Sequence, residues 1–169
     1  GAAATRQRQT GRRGRAAHDP GQLGKIFIGP IGPIRPMIDS HQHFWQVGRF
    51  DYPWMSSDLG VLYRDYLPTD LAPILDQNDV TQTVLVQASN SIAETRWLLE
   101  LAGANSFIGG VVGWVDLMNP DVESQLEELK ANGQFKGVRH LVESEPNDDW
   151  LIQPAVLSGL KHVGRCGLT

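Results

Sequence analysis

Met37-Ile38-Asp39-Ser40-His41-Gln42-His43-Phe44-Trp45 reads as a short apolar strand that ends on two histidines one residue apart. On an extended strand successive side chains alternate faces, so His41 and His43 project together while Ser40 and Gln42 point the other way. Two neutral imidazoles side by side are half of a site for zinc or a similar ion. The competing reading is a surface histidine beside a hydrogen-bonded wall histidine. Asp39 shares the parity of the pair, and a structural hydrogen bond is its simpler use.

Outward from this stretch, strand-like and helix-like segments alternate. Residues 44–66 are an aromatic loop with short turns (Phe44, Trp45, Phe50, Tyr52, Trp54, Tyr63, Tyr66). Pro68-Thr69-Asp70-Leu71 opens a helix with Thr69 as its cap, and Leu71, Ile74 and Leu75 share one face. Gln82–Gln87 is an apolar, β-branched second strand, short enough to be fully buried. Ser91-Ile92-Ala93-Glu94 is a capping-box pattern ahead of Trp97, Leu98, Leu101 and Ala102, with Gly103 as the stop. Phe107–Leu117 is the third strand, and Asn119-Pro120-Asp121 opens a helix whose apolar face is Val122, Leu126 and Leu129. Phe135–Val142 is the fourth strand, Pro154–Val163 the fourth helix, and Gly167-Leu168-Thr169 the opening of a fifth strand.

This alternation builds right-handed parallel units. Four and a fraction of them are half of an eight-stranded α/β barrel, the (β/α)8 or TIM fold. An open doubly wound sheet is the alternative, but no glycine-rich phosphate loop follows the first strand. In a barrel, chemistry gathers at the carboxyl ends of the strands. Those ends carry His41 and His43, then Gln87 with Ser89 and Asn90, then Trp114 and Asp116, then Arg139 and His140. Every one is polar or aromatic after an apolar run, which favours the metal reading of His41 and His43.

Arg139 reads as a bidentate clamp for a carboxylate or lactone carbonyl, or as the partner of a nearby acid. His140 has the opposite parity and reaches the same pocket only if the strand ends there; a catalytic role and none stand level. Gln87 and Trp114 read as substrate-binding residues, or as a polar strand end and a wall. Glu143, Glu145, Asp148 and Asp149 read as a solvated face.

The 169 residues suffice for one domain with a real core. The net charge of −4 hides two unlike parts: residues 1–35 carry seven Lys and Arg against one acid, a net +6, leaving −10 for the remainder. An acidic body has no electrostatic case for binding nucleic acid. The basic head lacks apolar periodicity and reads as disordered; a transit peptide, a nucleic-acid arm and an incidental extension are its possible uses. Residues 26–34 are too short and too broken by Gly and Pro for a signal core or membrane span. Cys166, the one cysteine, excludes an intramolecular disulfide and a cysteine metal cluster, and a buried thiol is its simplest use. The expected compartment is the cytoplasm and the expected partner a small molecule, not nucleic acid or membrane.

The stretches IDSHQHFW (38–45), RDYLPTDLAPIL (64–75), VLVQAS (84–89), ETRWLLELA (94–102), GGVVGWVDL (109–117) and KGVRHLVESEPNDDWL (136–151) resemble the amidohydrolase superfamily. More narrowly, they are similar to the amidohydrolase-related group that contains fuconolactonase and pyrone-dicarboxylate lactonase. The likeness runs from about residue 36 to Thr169. It implies a metal-dependent hydrolase barrel, present as about its first four βα units, in which His41 and His43 match the strand-one metal pair. It also implies further histidines on strands five or six and a water-activating aspartate after strand eight, none of which these residues include.

The bridging lysine of binuclear members is not matched near Arg139-His140, so one divalent metal, zinc by preference, is implied; some lactonases of the group work without metal. The implied reaction is lactone hydrolysis by water on a polarised carbonyl. A metal-dependent decarboxylase of a small aromatic or unsaturated acid is the alternative on the same fold. A truncated product without catalysis is the alternative of another class, and this chain is expected to be an inactive fragment.

Overall fold

Four short β-branched and glycine-containing runs pair in parallel in the computed structural model, which describes residues 36–169. The expected disorder of residues 1–35 lies outside the described residues. The strands are β1 (Met37–Gln42), β2 (Val80–Val86), β3 (Ile108–Gly113) and β4 (Phe135–Val138), in spatial order β1-β2-β3-β4. Helices α1 (Pro68–Gln77), α2 (Ile92–Ala104), α3 (Val122–Lys130) and α4 (Pro154–Arg165) follow the strands in turn. Sequential order with every pair parallel is the topology of a barrel wall rather than of a sheet that reverses about a switch point. Thr169 continues it: its N–H donates to Lys136 O at 3.2 Å, and Val138 N donates to its carbonyl at 2.7 Å.

Burial of Leu85, Val111 and Phe135 from the sheet against Leu98, Leu126 and Val156 from the helices supplies the core. The strand β1 departs from the expectation of two apolar faces, since Met37 and Ile38 are more than half exposed. Among the described residues no helix is long and apolar enough to cross a membrane.

Three of the boundaries that differ from the sequence reading do so because a side chain takes a backbone group. The helix α1 is capped from Leu67 rather than Thr69: Pro68 occupies the first position and Asp70 Oδ2 accepts the Leu67 N–H at 2.9 Å. The strand β3 stops at Gly113, not Leu117, because the Thr95 hydroxyl accepts Trp114 N–H at 2.7 Å and donates to Trp114 O at 2.9 Å. The strand β4 stops at Val138, not Val142; Arg139 N still reaches Gly113 O at 2.8 Å, but Leu141 N turns to Asn90 Oδ1 at 3.2 Å.

Candidate functional site

The carboxyl ends of the strands open into a cleft of about 830 Å³. One wall is aromatic, formed by Trp45, Phe50 and Trp54 of the loop after β1; the other carries Asn90, Arg139 and Ser144. The aromatic loop is anchored by its own polar tips: Trp45 Nε1 donates to Arg64 O at 2.9 Å and Trp54 Nε1 to Ala88 O at 2.7 Å. Trp45 and Trp54 meet edge to face with ring centres 5.4 Å apart.

At the head of the cleft, His41 Nε2 and His43 Nε2 stand 3.0 Å apart. His43 Nδ1 lies 2.9 Å from Val86 O and donates to it, which leaves the lone pair on Nε2. Burial holds His43 below the ordinary imidazole value, against the pull of Val86 O, with His41 and Arg139 adding to the depression. A neutral imidazole with a fixed tautomer is the form that ligates a metal. Two nitrogens on one tetrahedral zinc, each bonded at about 2.0–2.1 Å, stand about 3.3 Å apart, so the pair fits such an ion with small ring movements. Among the described residues no group of three or more His, Cys, Asp or Glu converges on one point, so the pair falls short of a complete ligand set. Asp39 Oδ1 accepts the His41 N–H at 3.1 Å.

On the opposite side Arg139 and Gln87 hold one another. Arg139 Nη1 donates to Gln87 O at 3.0 Å, and Gln87 Nε2 donates to Arg139 O at 3.2 Å. Arg139 lines the cleft with His43. Gln87 is fully buried and lies behind the wall. His140 follows the end of β4 and turns away: its Nδ1 accepts Trp114 Nε1–H at 2.9 Å, its Nε2 donates to Glu145 Oε1 at 2.6 Å, and its ring stacks on Trp150 at 3.9 Å. Trp114 thus meets His140 rather than the cleft. The structure brings His43 and Arg139 to one cavity, leaves His41 exposed beside His43 and outside the lining, and sets Gln87, Trp114 and His140 in the layer behind it.

Two acids in this layer were hidden in the sequence. Glu145 is folded in against His140 instead of joining a solvated face. Glu94 is completely buried, and its carboxylate accepts Ala88 N–H at 3.1 Å and Ser89 N–H at 2.8 Å. Burial raises Glu94 to about 7, although both amide bonds and the Arg139 charge work the other way. Backbone accounting was the available signal: a three-residue turn after β2 leaves N–H groups without ladder partners, beside an acid at the third helical position.

The amidohydrolase family model matches residues 38–163. The chain belongs to the amidohydrolase family. An L-fucono-1,5-lactonase of Burkholderia ambifaria is 39% identical to this amidohydrolase over 129 residues, covering 74% of the chain and 44% of the relative. A crystal structure of a Burkholderia multivorans amidohydrolase with bound zinc superposes with a TM-score of 0.74 at 34% identity, over 79% of this chain and 47% of that one. A probable 2-pyrone-4,6-dicarboxylic acid hydrolase of Acinetobacter baumannii, with citric acid bound, shares the fold at a TM-score of 0.63 and 20% identity. The chain therefore spans less than half the length of the relatives it matches, and its four parallel units correspond to part of their barrel.

Proposed function

We propose that this amidohydrolase segment supplies the metal pair and the carbonyl clamp of a lactone hydrolase. The observation that carries the reading is the His41–His43 pair at the edge of a cleft that His43 and Arg139 line at the strand ends. Likeness to an L-fucono-1,5-lactonase supports a sugar lactone as the substrate class. His41 and His43 would hold one divalent ion, zinc by preference, through their Nε2 atoms, and such an ion would supply Lewis acidity toward the lactone carbonyl and toward water.

Arg139 accepts the developing negative charge or a substrate carboxylate on its free guanidinium edge, while its Nη1 bond to Gln87 O fixes the direction of the fork. Trp45, Phe50 and Trp54 pack on the apolar face of the ring and leave its carbonyl open to the attacking water. Gln87 orients Arg139, and Trp114 holds His140 behind it. His140, whose two nitrogens are already engaged, holds the segment after Arg139 in place rather than exchanging a proton with substrate.

The test is a chimera in which residues 38–163 replace the matching segment of the Burkholderia ambifaria lactonase. Hydrolysis of L-fucono-1,5-lactone with about one zinc per chain is expected, and His41→Ala with His43→Ala should remove both. Full turnover in the double variant would show that the pair only orients the wall.

A further inference from the structure

The turn between β2 and α2 carries contacts in two directions. On one side, Ala88 O accepts Trp54 Nε1–H at 2.7 Å and Ser89 Oγ donates to Asp51 O at 2.6 Å, tying down the aromatic loop. On the other, Asn90 Oδ1 accepts Leu141 N–H at 3.2 Å, tying down the segment that follows Arg139. The first clasp rests on the Ala88–Ser89 peptide unit, whose N–H ends on Glu94, and the second on Asn90, the next residue of the same turn.

Capping alone does not explain this acid. Ser91 Oγ already takes the Glu94 N–H at 3.2 Å, but the reciprocal bond of a capping box is not made: Ser91 N donates to Ser89 O at 2.8 Å. A buried carboxylate is costly, and here its two charge-assisted bonds fix a turn. The Tyr52 hydroxyl lies beside Glu94 but has no hydrogen-bond partner among the described residues. The Arg139 guanidinium acts on Glu94 from farther off, and the His140–Glu145 pair stands beyond the turn.

We propose that Glu94 is a positioning residue of the cleft: through the Ala88 and Ser89 amides it sets the aromatic wall against Arg139. The inference deepens the lactone reading, since the placement of Arg139 matters to a substrate only if the cleft holds one. It makes no use of turnover in its test.

Hydrogen–deuterium exchange of the whole chain, read by mass spectrometry, compares wild type with Glu94→Gln at pH 8. Segment 50–56, which meets Glu94 directly only at Tyr52, and segment 139–145, which Glu94 does not touch, should both exchange about tenfold faster in the variant, while α3 stays unchanged. Acceleration confined to residues 86–91 would overturn the proposal, because Glu94 would then be a local tether. If Glu94→Gln does not fold, Glu94→Asp withdraws the carboxylate by one methylene and should loosen the same two segments; unmoved segments would count against the proposal equally. An inactive chimera would refute the lactonase reading and leave this coupling as measured.

Discussion

At the residue scale, Arg139 and Glu94 show how one side chain can be set by its neighbours. Arg139 spends one nitrogen on Gln87 O and keeps the rest of its fork for the cleft. A lysine would supply the charge without the fork. Arg139→Lys in the chimera is therefore expected to lower kcat/KM by about 10- to 100-fold, the size of a lost charged hydrogen bond, with folding intact by circular dichroism. Equal activity would make Arg139 a structural residue. Glu94 predicts a pH effect of definite sign. Its carboxyl rises from 4.5 to about 7 on folding, so the folded protein binds that proton more tightly than the unfolded chain. Its contribution to stability is full below the unfolded value and is lost as pH climbs through about 7. Glu94→Gln, which cannot ionise, should gain on wild type by on the order of 3 kcal/mol between pH 4.5 and pH 8 in urea unfolding. A constant difference across that range would contradict the buried, titrating carboxyl.

At the scale of elements, α4 packs on the segment after β3 through Gly159. A Cβ there would overlap the Leu117 carbonyl oxygen, which is backbone and cannot swing aside. Glycine to alanine inside a helix ordinarily stabilises by up to about 1 kcal/mol, whereas overpacking costs about 1–3 kcal/mol. Gly159→Ala should therefore destabilise, and a raised denaturation midpoint would show that α4 moves freely over Leu117. Such close approaches mark what the sequence could show and what it could not. Period and caps placed all four helices and all four strands, because apolar faces and Ser91 write themselves into local spacing. Strand ends were read too long at Trp114 and Arg139, where Thr95 and Asn90 claim backbone groups from far along the chain. The candidate site was legible to the same depth: His41, His43 and Arg139 follow from strand ends, but the outward turn of His140 depends on Trp114, Glu145 and Trp150 meeting in space.

At the scale of the whole molecule, one rim of the sheet carries the candidate site, and among the described residues the β1 side of the sheet is an open edge. Among the described residues β1 has a single neighbour, β2, and its Met37 and Ile38 are 58% and 55% exposed. Helix α4 likewise exposes Leu157 and Leu160. An edge strand flanked by apolar side chains is a template for pairing with another chain, and two imidazoles without a third ligand bind zinc weakly. The 169-residue chain by itself is therefore expected to self-associate, to take up zinc only weakly, and to hydrolyse L-fucono-1,5-lactone no faster than buffer when zinc or manganese is added. Sedimentation velocity, zinc titration calorimetry and a lactone assay check the three outcomes. Met37→Lys with Ile38→Lys places charges along the free edge and should raise the monomer fraction without restoring turnover, since neither residue touches the cleft. A monomeric wild-type chain with measurable lactone turnover would show instead that four βα units already hold every group the reaction needs.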